Sequence, residues 1–266
     1  MLGKERLVGV LDRFRLDGKR MMITGGSRGF GRAIALAAAE AGADVVLVAR
    51  DPQSLAKAAD EVRDRGRQAV TYAADVGDPS VCEDLCKRVL AEAAPIDILV
   101  NNVGGRDLNV PVENQDLESW RKYVDLNLTH CFICTKMIGG AMLPRGQGRV
   151  INIASISGMI ANRGIGGRHY ETSKAAVIHF TRATASDWAP RGVTVNVICP
   201  GLFMTEPNKV WAKSNPDVIK TFIDAVPMGR AGEPEEIGPL AVYLASPASS
   251  FVTGASFVID GGYTLW

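Results

Sequence analysis

The sequence predicts an α/β chain folded as a single doubly wound parallel sheet with helices on both faces. Short strands that are apolar on both faces alternate with helical segments of about 10–15 residues along the whole chain. A glycine cluster stands where the first strand runs into the first helix. No linker, low-complexity run or internal repeat divides the 266 residues, so one domain spanning 1–266 is expected.

The elements follow in order. Residues 1–15 precede the sheet as an N-terminal extension. Residues 19–24 form a short apolar strand, and 30–42 an alanine-rich helix that Gly42 closes. Val45-Val46-Leu47-Val48 leaves no polar face, so Asp44–Ala49 is a buried strand. Asp51 before Pro52 reads as the cap of a charged amphipathic helix over 52–65. A third strand over 68–74, a third helix over 79–93 and a fourth strand over 96–101 continue the alternation. A long helix is expected over 117–142, a fifth strand over 149–154, a helix over 170–188 and a sixth strand over 193–198. Residues 202–226 are less regular and are expected to form a substrate lid lined by Phe203, Met204, Trp211 and Phe222. A helix over 234–244 and a strand over 256–259 complete the chain.

Composition narrows the function. With 47% hydrophobic and 22% charged residues the chain can bury a sizeable core. A net charge of +1 argues against a nucleic-acid or membrane surface, so any anion must be held locally. The five cysteines are an odd number in a long chain. The first eighteen residues mix Lys4, Glu5, Arg6 and Asp12 with short apolar pieces, unlike a secretory leader, and no run reaches the ~20 apolar residues of a membrane helix. A reduced, cytoplasmic compartment is expected. Cys131-x-x-Cys134 beside His130 lacks a second ligand pair at metal-like spacing and reads as core packing, so no metal is expected.

The glycine cluster is Gly25-Gly26-Ser27-Arg28-Gly29-Phe30-Gly31. Glycines let a backbone turn tightly and approach a pyrophosphate, and a helix N-terminus offers it free N–H groups. The strand–loop–helix setting points to a Rossmann dinucleotide site built from Gly25, Ser27, Arg28, Gly29, Phe30 and Gly31. The second strand ends Val48-Ala49-Arg50, with Ala49 where an NAD site usually carries an acid. Arg50 and Arg28 together favour the 2′-phosphate of NADP(H).

Tyr170 and Lys174 stand four residues apart, on one face of a helix. A cation beside a phenol favours its ionised form, which suits a proton donor and acceptor for an alcohol or ketone.

With these pieces the chain resembles the short-chain dehydrogenase/reductase family from about residue 14 to the C-terminus. Asp75-Val76 is similar to its adenine contact, and Asn101-Asn102-Val103-Gly104 resembles its Asn-Asn-Ala-Gly motif with Val103 for alanine. Asn127, Ser155, Tyr170 and Lys174 match its catalytic four, and Pro200-Gly201-x-x-x-Thr205 resembles its nicotinamide loop. The resemblance implies cofactor contacts at Asp75, Val76, Asn101, Gly104, Tyr170, Lys174, Pro200, Gly201 and Thr205. It also implies that Ser155 donates to a carbonyl oxygen and that Tyr170 transfers the proton. Lys174 lowers the tyrosine's pKa, and Asn127 holds a water that links Lys174 to solvent. A homotetramer, or a homodimer, is implied as well.

The interval from Ser155 to Tyr170 is fifteen residues, longer than in many oxoacyl-reductase-like members. That length, with its Asn-Arg step, looks like the sugar, polyol and gluconate dehydrogenases. Arg163 and His169, with Ser155 and Phe203, are the candidate substrate contacts. The apolar lid instead suits a lipid-like or aromatic ketone. A 3-oxoacyl thioester reductase of fatty-acid metabolism is the alternative enzyme, and a non-catalytic nucleotide-sensing module the alternative outside catalysis.

Overall fold

The computed structural model describes residues 9–106, 110–162 and 166–265. Among them seven strands run parallel in one sheet: β1 (Arg20–Thr24), β2 (Asp44–Ala49), β3 (Ala69–Ala73), β4 (Ile98–Asn101), β5 (Gly148–Ile153), β6 (Val193–Pro200) and β7 (Ser256–Ile259). Their spatial order is β3-β2-β1-β4-β5-β6-β7. The chain winds outward from β1 to β3, then returns to the other side of β1 with β4, whose Val100 pairs with Ile23. A crevice therefore opens at the carboxyl ends of β1 and β4, where doubly wound sheets bind ligands.

Strand periodicity divides the core. Met21 and Ile23 of β1, with Val45 and Leu47 of β2, face α1 (Gly29–Glu40), α2 (Pro52–Arg63) and α9 (Gly238–Ala245). Their neighbours Met22, Val46 and Val48 face the other side, against α3 (Pro79–Glu92) and α5 (His130–Cys134). All eight residues of β6 are buried, since it lies inside the sheet with helices on both faces. Each fully buried aliphatic side chain there contributes about 1.5–3 kcal/mol. The edge strand β3 has one neighbour, and its Val70, Thr71 and Ala73 are exposed.

Local chemistry sets where the helices begin. Asp51 accepts from the amides of Gln53 and Ser54, and Asp78 from those of Ser80 and Val81; both precede a proline in the first turn. Proline without a side-chain cap opens two further helices in the stretch read as irregular. Residues 202–226 contain α7 (Glu206–Ser214) and α8 (Pro216–Asp224), each with proline in its first turn.

The long helix expected over 117–142 is helical throughout but not uniformly α. After α4 (Leu117–Val124) it widens into π turns at Asp125–Thr129 and Thr135–Gly139, and it ends as a 3₁₀ segment at Gly140–Arg145. In the first π turn the Asn127 side-chain amide donates to the Tyr123 carbonyl at 2.9 Å, competing with the backbone for that acceptor. Cys131 and Cys134 are both buried, as core packing requires, but in different clusters. The Cys131 thiol meets Asn152 Oδ1 at 3.3 Å, while Cys134 Sγ lies 3.6 Å from Cys82 Sγ and 3.9 Å from Cys86 Sγ. Among the described residues no helix is long and apolar enough to cross a membrane.

Candidate active site

The crevice begins at the glycine loop. Gly25 (φ 68°) and Gly29 (φ 53°) occupy left-handed backbone, which L side chains rarely adopt. A Cβ on Gly31 would collide with the Gly25 carbonyl, so the helix packs onto the loop only through glycine. Arg28 occupies the N-cap of α1 without capping it, so the first amides of α1 have no side-chain acceptor there. These are the features that a pyrophosphate needs, and the loop fits one. Thr24 Oγ1 accepts from the amides of Asn102 and Val103 at 3.0 and 3.3 Å, clamping the ends of β1 and β4 together.

At the adenosine end Arg28 and Arg50 are both exposed. Arg50 makes only a loose pair with Asp75 at 3.7 Å. Asp51 is occupied as the cap of α2, where bonds from Ser54 and the field of Arg28 hold its carboxyl below the usual range. Val76 is buried, and Asp75 Oδ1 accepts from the Gly77 amide at 3.0 Å. Asn101 points its side chain away from the crevice, into a buried chain of bonds to Thr135 Oγ1 (3.0 Å) and Asn152 Oδ1 (2.9 Å). Its backbone is what remains for a cofactor. At the far end Pro200 closes β6, Gly201 lies against Asp260, and Thr205 caps no amide and lies beside Gly29. The loop after β6 and the glycine loop are thus neighbours.

The four expected catalytic residues come from three separate segments. Ser155 ends the run after β5, Asn127 sits in the π turn, and Tyr170 and Lys174 lie on α6 (Arg168–Trp188). Ser155 Oγ accepts from the Ser157 amide at 3.1 Å, which leaves its own proton to donate. Lys174 is 2% exposed and donates from Nζ to the Ile153 carbonyl at 2.9 Å. Asn127 exchanges two bonds with Gly105, from Nδ2 to its carbonyl (3.1 Å) and from its amide to Oδ1 (3.0 Å). A Cβ on Gly104 would stand 2.7 Å from Lys174 Nζ and 2.8 Å from Asn127 Oδ1. Glycine at 104 therefore keeps open the space shared by the cation and the amide.

One electrostatic expectation is reversed. The Tyr170 phenol is held above its ordinary value of 10.0, because burial outweighs the hydrogen bond with Ser155 and the charge of Arg106. Lys174 Nζ lies 5.8 Å from the ring centroid with its bond directed at Ile153, whereas the Arg106 guanidinium lies 4.7 Å above the same ring. The phenol keeps its proton at neutral pH and is ready to give it.

Burial acts on Lys174 as well, bringing its pKa from 10.5 down to about 8. That fall corresponds to about 3 kcal/mol against folding while the lysine is charged. Because the folded value lies below the unfolded one, the burden is complete below pH 8 and disappears as the pH rises from about 8 to 10.5. Lys174→Met is accordingly expected to stabilise the protein at pH 7 by about 1–3 kcal/mol. The gain should vanish above pH 10.5, and turnover should collapse. Urea midpoints at the two pH values check this; a loss of stability at pH 7 would rule it out.

The expected substrate contacts fare differently. Ser155 stays at the centre. His169 is fully buried against the Tyr123 ring, with centroids 4.3 Å apart, and does not line the crevice. Phe203 is also buried, edge-on to Phe30 of the glycine loop at 5.0 Å and against Gly232. Arg163 lies outside the described residues. In the expected lid lining, Trp211 is exposed and Phe222 stacks on Tyr263 at 5.8 Å. Sequence reasoning missed Arg106 and Glu171. Arg106 follows Gly104-Gly105 at the end of the β4 motif, and that adjacency was the available signal.

A tyrosine paired with a serine hydroxyl, with a buried lysine one turn away on its helix, at the end of a crevice that fits a pyrophosphate, suits an oxidoreductase of alcohols and ketones. The chain belongs to the short-chain dehydrogenase/reductase family. A family model described as "Enoyl-(Acyl carrier protein) reductase" matches residues 25–264. Galactitol 2-dehydrogenase (L-tagatose-forming) of Cereibacter sphaeroides is 40% identical over 253 residues, covering 95% of this chain and 98% of that protein. A 3-oxoacyl-[acyl-carrier-protein] reductase of Synechocystis sp. is 38% identical over 248 residues, covering 92% and 96%. A solved structure of a putative NAD(P) dependent gluconate 5-dehydrogenase from Beutenbergia cavernae, with bound NADP at low occupancy, superposes with a TM-score of 0.89. It is 35% identical, and the match covers 96% of this chain and all of that one.

Proposed function

We propose that this protein is an NADP(H)-dependent oxidoreductase interconverting a secondary alcohol and a ketone on a sugar, polyol or gluconate-type substrate. The observation that carries the reading is the hydrogen bond between Ser155 and Tyr170, with Lys174 Nζ 5.8 Å from the Tyr170 ring and next to Asn127 at the space kept open by Gly104. The dinucleotide, when bound, supplies or accepts the hydride. Ser155 donates to the substrate oxygen, where negative charge gathers during reduction. Tyr170 gives that oxygen its proton, or takes one in oxidation. Lys174 holds positive charge beside the proton path, and Asn127 holds the water that relays protons to solvent. The first turn of α1 and the loop of Gly25, Ser27, Gly29, Phe30 and Gly31 would hold the pyrophosphate, with Arg28 and Arg50 on the 2′-phosphate. Asp75 and Val76 would meet the adenine, Asn101 and Gly104 the ribose side, and Pro200, Gly201 and Thr205 the nicotinamide.

The sugar-type reading is supported by the galactitol dehydrogenase and gluconate dehydrogenase names among the similar proteins. The relative named as a 3-oxoacyl reductase favours the second reading, reduction of an acyl thioester. A panel of polyols, aldonates, simple ketones and acetoacetyl thioesters, offered with NADP(H) and NAD(H) and followed by nicotinamide absorbance, separates them. Turnover of polyols or aldonates is expected; turnover of thioesters alone would replace the first reading with the second.

Residues 202–226 are proposed to cover the substrate, with α7 and α8 as the moving part. A homotetramer is the proposed assembly. Phe132, 47% exposed, stacks edge-on with Phe180 of α6 and offers an apolar helical face for a second copy. The proposed compartment is the cytoplasm, where the five free cysteines stay reduced.

A further inference from the structure

We infer that Arg106 is the substrate-recognition cation of this site, and that it selects substrates carrying a carboxylate, so that the preferred alcohol is a hydroxy acid rather than an uncharged polyol. The inference rests on the alcohol–ketone reading above and narrows it. Arg106 leaves the end of β4 directly after Gly105, whose amide and carbonyl are both fastened to Asn127. Its side chain is only 19% exposed, and its guanidinium lies over the Tyr170 ring, 4.7 Å from the centroid.

Two of its donors, Nε and Nη2, are buried with no hydrogen-bond partner among the described residues. These atoms form one edge of the guanidinium fork, the edge that meets both oxygens of a carboxylate side-on. The nearest internal carboxylate cannot serve. Glu171 Oε1 stands 3.6 Å from Nη2, beyond hydrogen-bond length. Glu171 is already committed to the amide and side chain of Asn162 and to Arg168. Two arginines share that single carboxylate, so one positive charge is left over next to Tyr170. An arginine stays charged even when buried. Its unpaired donors cost stability unless a ligand completes them. A hydroxyl could satisfy one donor, but only an anion removes the surplus charge and fills both positions.

D-Gluconate and D-glucitol test this, because they share a carbon chain and differ at one end as carboxylate and hydroxymethyl. In the wild type the ratio of kcat/KM values should favour gluconate, and in Arg106→Gln that ratio should fall about 30-fold or more. Arg106→Lys, which keeps the charge but not the fork, should recover part of it. Calorimetric titration of gluconate should give binding to the wild type and none to Arg106→Gln, with thermal melts and NADPH titrations confirming that the variant is folded. Should Arg106→Gln fail to fold, Arg106→Lys decides through the same ratio. Equal losses on both substrates would mean that Arg106 acts on Tyr170 alone, and absence of gluconate binding to the wild type would also overturn the inference. Failure of the alcohol–ketone reading looks different: no compound is turned over, while calorimetry still finds Arg106-dependent gluconate binding.

Discussion

Tyr170→Phe should bind NADPH as the wild type does and lose turnover by about a thousandfold or more, since a positioned general acid contributes on the order of 10²–10⁴ and the serine cannot replace it. The substitution removes one oxygen from a ring held by α6 and by Arg106, so folding should be unaffected. The wild-type pH profile provides an independent check. The phenol's pKa lies above 10.0 because burial disfavours the phenolate. Ketone reduction, which needs the protonated form, should therefore stay level through neutral pH. Alcohol oxidation, which needs the ionised form, should climb with pH toward that raised value. Tyr170→Phe should abolish both limbs. Stopped-flow traces at several pH values decide the matter, and a variant retaining a tenth of wild-type turnover would end the assignment of Tyr170 as the proton donor.

The second large effect is expected at the other end of the crevice. Replacing Arg28 and Arg50 together by alanine should weaken NADPH by about a hundredfold and NADH only slightly, because hydrogen bonds to a charged phosphate are worth about 1.5–3 kcal/mol each before solvent screening reduces them. Both guanidinium groups are exposed, and Arg50 is held only by the loose pair with Asp75, so they are free to turn toward a phosphate. Fluorescence titration with each cofactor measures the two dissociation constants. Equal weakening of both would remove the 2′-phosphate argument. Added salt should weaken NADPH binding more steeply than NADH binding for the same reason.

The alternation of strands and helices, the caps at Asp51 and Asp78 and the glycine loop were legible because each depends on near neighbours in the chain. The placing of Tyr170 and Lys174 on one helix was legible for a similar reason, since their spacing is a local property, whereas Ser155 and Asn127 were singled out only by the family resemblance. Where the sequence misled, distant residues were responsible. Phe203 looks like lid lining until Phe30 and Gly232 close on it, and His169 looks like a substrate contact until Tyr123 covers its ring. The side-chain amide of Asn101 serves the join between β4 and β5, so the proposed cofactor contact there falls to its backbone. The π turn at Asn127 depends on an acceptor four residues back and on Gly105 in another segment, which no helical period records.

The fold and the strand–loop–helix turn at residues 25–31 could be read along the chain, since they follow from hydrophobic period and turn chemistry. Which charge faces Tyr170 depends on packing between distant segments. Lys174 lies one turn away on the same helix but bonds to Ile153, while Arg106 arrives from the end of β4 and lies over the ring. Side chains compete for acceptors through space, and burial sets the strength of each charge. Neither can be read along the chain, so Tyr170 could be proposed as proton donor from sequence, but the direction in which its surroundings move its pKa could not.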